Sequence, residues 1–334
     1  MTSQPRVAWQ STAAAQGVMP SLTVALFTPT DFSSIRRTVS HVVAQDIASS
    51  IELLVLSSTP QLAIDEAEVR ALHSVRVVPV TFSDGSGSAR AAAVREAAAP
   101  VIAFGEDHCF PQDGWASALL DAHQGPWAAV GPLMSNANPT TLTSWADFVM
   151  GYGPWIAARH TGEHDHLPGH NTSYKREVLL PFGQELDTLI EAETTLQWRL
   201  RASGYRLYQD ARARVAHTNF ERWRTWLYVC LHAGRVFSAT RAMHWPTLKR
   251  LGFSLASPLL PFVRSQRHLR QAISADWPAG LVLRVAPVLF AGLVADAIGQ
   301  GLGTLLGAGQ SRATLVAWEF DRNAPSRPAT LTAK

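Results

Sequence analysis

The eight residues Val101-Ile102-Ala103-Phe104-Gly105-Glu106-Asp107-His108 decide how the chain is read. Four apolar residues make a short buried strand, and the strand runs out into two carboxylates and an imidazole. The pattern recurs upstream. An apolar run over residues 22–27 ends in Thr28-Pro29-Thr30, and another over residues 51–56 ends in Ser57-Ser58. Residues 75–80 and 127–130 are further runs of this kind. Segments of helical spacing lie between them: residues 33–44, with Ile35, Val39, Val42 and Val43 on one side, the Ala-rich residues 89–98, and residues 115–123. Strands alternating with helices imply an α/β class, a mostly parallel sheet flanked by helices. Ligands of such sheets sit beyond the carboxyl ends of the strands. Thr28-Pro29-Thr30, Ser57-Ser58 and Glu106-Asp107-His108 are all expected there, converging on one crevice.

The order of the polar stretches carries more than any one of them. After Glu106-Asp107-His108 come Gly169-His170-Asn171-Thr172-Ser173-Tyr174-Lys175-Arg176, then Glu193 on a helical stretch, then His217 after an apolar strand. That order suggests a nucleotide-sugar site. A sugar-diphosphate transferase must neutralise a leaving diphosphate, usually with a divalent metal, and must take a proton from the attacking hydroxyl. Glu106 and His108 offer hard and borderline ligands suited to Mn²⁺ or Mg²⁺, and His217 is a later candidate. Each has a plainer reading: a polar turn before Pro111, and a structural histidine. Glu191 and Glu193 would diverge by about 200° on a helix, so one of them faces the cleft; the plainer reading is a solvated acid at a helix start. Residues 169–176 form a polar wall able to grip a hydroxylated acceptor, or an ordinary loop. Arg222 and Trp223 follow His217 and could meet a diphosphate and a sugar ring, or simply open a helix. His164 and His166 sit in a Gly- and Asp-containing loop and read as solvated.

Composition narrows the classes. The chain has 334 residues with 47% hydrophobic and 16% charged, enough for one large domain or two ordinary ones. The net charge of +3 conceals an asymmetry: residues 221–334 hold 14 Lys and Arg against 5 Asp and Glu, while residues 1–220 hold 15 against 21. An acidic front half argues against nucleic acid as a partner. A basic, apolar, Trp-containing tail suits an anionic membrane surface or a helical appendage with a solvated basic face. Two cysteines, Cys109 and Cys230, make no disulfide framework and fit a reducing compartment. The start of the chain lacks a signal-peptide pattern. No Gly-x-Gly-x-x-Gly follows the first strand and no Gly-Lys-Ser/Thr loop occurs, which argues against dinucleotide enzymes and P-loop NTPases.

Residues 1–20 are expected to be a flexible leader, residues 21–220 the nucleotide-binding domain, residues 221–322 a helical and membrane-associated region, and residues 323–334 a disordered tail. Residues 141–158 are aromatic-rich and read as irregular. Residues 205–208 and 214–217 read as two short strands, and Gly204 as a helix stop. Residues 285–311 are long enough to span a membrane only if Asp296 is tolerated, and Pro287 and four later glycines favour in-plane or re-entrant helices.

Taken together, residues 21–225 resemble the family 2 glycosyltransferases, inverting nucleotide-sugar enzymes of the GT-A fold. Residues 22–30 are similar to the family's opening strand and proline-containing nucleotide loop. Gln45 sits where the family has a glutamine before strand two. Gly87-Ser88-Ala89-Arg90 resembles the stretch before the metal corner, and Glu106-Asp107-His108 holds the place of Asp-x-Asp. Residues 169–176 resemble the acceptor-side Gly-x-Asn segment, and Asn219-x-x-Arg222-Trp223 the Gln-x-x-Arg-Trp of processive members. The resemblance implies donor contacts from Pro29, Thr30, Ser57, Arg90, Glu106, Asp107 and Arg222. It implies acceptor contacts from Gly169, His170, Asn171 and Trp223, a Mn²⁺ or Mg²⁺ ion at Glu106, His108 and His217, and Glu193 as general base. The implied partners are a nucleotide-sugar donor and a glycan or lipid-linked acceptor, met in the cytoplasm at the inner face of the membrane. The chain departs from the pattern in four places. Ser57-Ser58-Thr59 replaces an aspartate-rich turn, with Asp84 as a substitute; Glu-x-His replaces Asp-x-Asp; Ala91 replaces an asparagine; and Ala192 stands where a glutamate is usual. These departures also fit a catalytically silent relative acting as a binding or scaffold subunit.

Overall fold

The computed structural model describes residues 5–28, 31–59, 61–82, 86–157 and 161–319. The strands are β1 (Arg6–Gln10), β2 (Leu22–Thr28), β3 (Ile51–Ser57), β4 (Ser74–Pro79), β5 (Val101–Phe104), β6 (Cys109–Pro111), β7 (Trp127–Asn136), β8 (Gly162–His164), β9 (Ser173–Lys175) and β10 (Arg206–His217). The α-helices are α1 (Thr12–Ala15), α2 (Arg36–Val43), α3 (Glu66–Val69), α4 (Gly87–Glu96), α5 (Trp115–His123), α6 (Leu142–Tyr152), α7 (Arg176–Leu179), α8 (Glu185–Leu189), α9 (Glu193–Ala202), α10 (Trp223–Arg241), α11 (Thr247–Ala256), α12 (Leu260–Ser274), α13 (Ala279–Leu306) and α14 (Ser311–Glu319). The chain divides into two compact units, one of residues 1–82, 86–135 and 159–216, the other of residues 83–85, 136–158 and 217–334.

The first unit is built on one sheet of order β1-β4-β3-β2-β5-β9-β7-β10-β6, with β8 beside β10. Strands β4, β3, β2 and β5 are parallel, and their register sets Thr28 beside Ser57 and Ser57 beside Pro79. Every residue of β2 and β3 is buried, as expected of parallel strands covered on both faces. Glu52 is the charged exception in β3. It is held by Arg76 at 2.6 Å, by the Thr23 hydroxyl at 2.6 Å and by the Ala98 amide at 2.8 Å. A buried carboxylate with this many partners locks the sheet rather than weakening it. Strand β9 runs antiparallel between β5 and β7 and brings residues 169–176 to the centre of the sheet.

Three local readings change. The first twenty residues, expected to be a loose leader, contain β1, paired antiparallel to β4, and α1. Residues 141–158, read as irregular, contain α6, whose first turn is capped by Thr141 accepting from the Ser144 amide at 3.1 Å. The two short strands expected over residues 205–217 are one twelve-residue strand, β10. Two buried polar side chains in its middle find partners: Asp210 pairs with Arg212 at 2.8 Å, and Gln209 donates to the Pro132 carbonyl at 3.4 Å. Gly204 does end α9, at φ 87°, a conformation glycine adopts freely.

The second unit is helical. Its core gathers Val149 of α6, Trp226 and Cys230 of α10, Ala272 of α12 and Leu289 and Leu293 of α13. The Trp226 indole donates to Asp147 at 2.8 Å, and the other Asp147 oxygen accepts from the Phe220 amide at 2.9 Å. Helices α10 and α13 pack backbone to backbone. Gly234 faces the Asp296 carbonyl, Gly299 the Leu231 carbonyl and Gly303 the Arg235 carbonyl, each with no room for a Cβ.

Candidate active site

Beyond the carboxyl end of β5 the chain turns at Glu106, Asp107 and His108 before entering β6. Helix α2 secures this turn: the Thr38 hydroxyl donates to the carbonyls of Glu106 and Asp107 at 3.1 and 2.9 Å. Asp107 holds His108 through Nδ1 at 2.5 Å, and His108 Nε2 lies 3.6 Å from Glu106 Oε2. The same Glu106 oxygen accepts from Cys109 Sγ at 3.0 Å and from Asn171 Nδ2 at 3.2 Å. Glu106, His108 and Cys109 are buried and bring a carboxylate oxygen, a ring nitrogen and a sulfur within 4.8 Å of one another. This donor set fits a divalent first-row cation: carboxylate and imidazole suit Mn²⁺, and the sulfur adds a softer ligand than the family motif implies. The corner is thus a possible metal site, and Cys109 is the member that the sequence reading missed. Its signal was its place three residues after Glu106.

A second cluster surrounds Glu193, the first residue of α9. Glu193 is buried, and its Oε1 lies 2.6 Å from an Arg90 guanidinium nitrogen. Arg90 comes from α4, also reaches the Ile190 carbonyl at 3.4 Å, and lies over the Phe27 ring at 5.5 Å. The second oxygen, Oε2, lies against Gly169, where a Cβ would come within 2.8 Å of it. The acceptor-loop candidate and the base candidate therefore meet, and any larger residue at 169 would separate them. Below them the Tyr174 phenol is fully buried and bonded to Gln197 at 3.0 Å; burial pushes its pKa above the ordinary phenol value and keeps it neutral. Glu191 lies outside α9, in the preceding 3₁₀ turn, and accepts from the Gly87 amide at the start of α4. Of the two acids, Glu191 is spent on holding α4.

The structure brings Glu106, Asp107, His108 and Asn171 together, and joins Arg90, Glu193 and Gly169. Asn171, expected on the acceptor, is bonded to Glu106, and Arg90, expected on the diphosphate, is paired with Glu193. Ser57 is buried at the end of β3 and accepts from the Thr59 amide at 3.0 Å, so it shapes the turn where the family carries an acid. Gln45 is structural: it donates to the His41 and Gln112 carbonyls at 3.0 and 3.1 Å and accepts from the Ala116 amide at 3.0 Å, tying α2 to α5. His217 closes β10, the strand beside β6 that Cys109 opens. Its Nδ1 meets Asn219 Oδ1 at 2.8 Å, and its ring packs on Tyr152. Arg222 and Trp223 are exposed at the start of α10 in the second unit. Pro29, Thr30 and Asp84 lie outside the described residues, as does the side chain of His170.

A mostly parallel sheet with an acidic, imidazole-bearing corner at its strand ends is the arrangement expected of a GT-A-type fold. Residues 28–180 match the family described as glycosyl transferase family 2. Among solved structures, a mannosyltransferase from Pyrobaculum calidifontis in complex with GDP-Man and Mn²⁺ is 16% identical over 84% of this chain and 87% of that one, with a TM-score of 0.47. The S. aureus TarS 1–349 in complex with UDP is 13% identical over 84% of this chain and 90% of that one, at a TM-score of 0.43. GalNAc-T7 with UDP, GalNAc and Mn²⁺ is 13% identical over 60% of this chain, at a TM-score of 0.42. The chain spans 44% of the GalNAc-T7 chain and 55% of a longer TarS chain. No curated protein matches the chain.

Proposed function

We propose that this chain is a glycosyltransferase that moves a sugar from a nucleotide-diphosphate donor to a hydroxyl of a glycan or lipid-linked acceptor, with inversion, in polysaccharide or glycolipid synthesis at the inner face of a membrane. The observation that carries the reading is the contact of Glu193 Oε2 with Gly169, a carboxylate oxygen set against the acceptor loop. In this mechanism Glu193 takes the proton of the acceptor hydroxyl. The acceptor oxygen bonds to the anomeric carbon from the face opposite the leaving group, and the bond to the diphosphate breaks. Arg90 fixes Glu193 through its other oxygen, so the base is oriented before substrate arrives. Glu106 and His108, with His217 as the later ligand, would hold a Mn²⁺ or Mg²⁺ ion, which would offset the charge of the departing diphosphate. Asp107 orients His108 by taking its Nδ1. Ser57, Pro29, Thr30 and Arg222 are assigned to the donor. Gly169, His170, Asn171 and Trp223 are assigned to the acceptor.

Glu193→Gln is expected to lower turnover by at least about 100-fold, while leaving metal-dependent binding of a nucleoside diphosphate in place. Unchanged turnover of a nucleotide sugar by the variant would remove Glu193 as base. A second reading, a silent binding or scaffold subunit, draws support from Ser57 in the acid's place and from the bonds that Cys109 and Asn171 make to Glu106. A thermal-shift panel of nucleoside diphosphates and nucleotide sugars, with and without Mn²⁺, separates the two. A metal-dependent rise in Tm with one nucleotide supports the transferase; no rise with any of them supports the silent subunit.

A further inference from the structure

Helix α11 carries Leu248 and Leu255 on one exposed face, and the chain continues that face through Leu259 to Phe262 and Val263 at the start of α12. The spacing is helical throughout, and these residues stay in solvent: Leu248 is 81% exposed and Leu255 74%. The Phe262 ring meets Phe290 of α13 at 5.3 Å, edge to face. Farther along α13, Ile298, Leu302 and Leu305 are also exposed at helical spacing. Two helices and the start of a third thus present neighbouring apolar faces within the second unit. A soluble surface rarely exposes a patch of this extent without a partner.

The charges around it select the partner. Residues 222–318 hold eleven Lys and Arg against two acids, Asp276 and Asp296. Asp296 is buried, paired with Arg264 and bonded to Gln300. Lys249 borders the α11 face, and Arg267 and Arg270 follow Val263 on the exposed side of α12. A second copy of this chain would bring basic rims together and be repelled. An anionic bilayer surface would satisfy the apolar face and the rim together. Helix α13 is long and apolar enough to cross a membrane, but its other side is packed on α10 through Gly234, Gly299 and Gly303. It is already committed to a protein core.

We infer that the α11–α12 corner, with the exposed stripe of α13, is a docking surface that lies in the plane of an anionic lipid bilayer. The inference rests on the second unit alone and does not depend on the transferase chemistry. The test is flotation of the full chain with vesicles of phosphatidylcholine, with and without phosphatidylglycerol. The chain is expected to float with the anionic vesicles and to be largely released by high salt. Leu255→Asp with Val263→Asp is expected to lower the partition coefficient at least about tenfold. Lys249→Ala and Arg270→Ala are each expected to lower it about fivefold. All four positions are exposed, so circular dichroism should match the parent chain. The inference is overturned if the parent chain stays at the bottom of the gradient with both vesicles, or if the apolar variants float like the parent. It is also overturned if the chain sediments as a dimer that Leu255→Asp splits while vesicle binding is absent. In each case nucleotide binding remains a separate measurement, so loss of the surface leaves the donor site unaffected.

Discussion

Arg90 and Glu193 are buried together, and breaking such a pair from one side leaves a charge in a poor solvent. Arg90→Ala is therefore expected to destabilise the fold by about 3–5 kcal/mol in urea unfolding. Arg90→Met combined with Glu193→Leu should recover much of that loss, because no bare charge then remains. This bears on the catalytic test, since a fall in turnover for Glu193→Gln speaks to proton transfer only when the variant is shown to be folded. The metal corner makes a second prediction at this scale. His108→Ala should weaken Mn²⁺ binding by at least the roughly 10–100-fold that loss of an outer-sphere partner costs, read by calorimetry. Equal affinity in the variant would exclude His108 as a ligand.

Between elements, close approach replaces side-chain packing at two places. Gly169 lets the loop before β9 rest on Glu193, and Gly299 and Gly303 let α13 rest on the carbonyls of α10. Neither contact can be widened cheaply, because one neighbour is a buried ion pair and the other is helical backbone. Gly303→Leu is expected to cost about 1–3 kcal/mol or more by overpacking, seen as a lower urea midpoint with the slope unchanged. Gly169→Ala should spare donor binding and lower turnover, because it displaces the carboxylate from the acceptor loop.

At the scale of the whole molecule, each unit buries a histidine that it keeps neutral. His123 of the first unit and His268 of the second have pKa values pushed down to about 3, chiefly by burial and further by neighbouring cations. Both are depressed below the unfolded value near 6.5. The unfolded chain therefore binds protons that the folded chain refuses as pH falls from about 6.5 toward 3. Their contribution is fully present above pH 6.5 and shrinks below it, by about 2 kcal/mol per histidine between pH 7 and pH 5. Urea unfolding at the two pH values checks the sign. His123→Gln and His268→Gln should each flatten the dependence, and a chain equally stable at pH 5 and pH 7 would refute the account.

Sequence by itself determined the α/β class, the parallel centre of the sheet and the resemblance to family 2 glycosyltransferases. Apolar runs of strand length, helical spacing between them and polar residues at their ends are local properties, and they survive being read one segment at a time. It also placed Glu106, His108 and Glu193 in their order. The tertiary structure decided what those residues touch. Asn171 reaches Glu106 across 65 positions, and Arg90 reaches Ile190 across 100 on its way to Glu193. Cys109 joined the metal corner because the turn into β6 folds its sulfur back onto Glu106. Asp296, which by composition could have marked a polar break in a membrane span, became a buried partner of Arg264. Hydrophobic periodicity reports which face of a helix is apolar. Only the packing of α10, α12 and α13 settles which apolar face the protein buries and which it leaves in solvent.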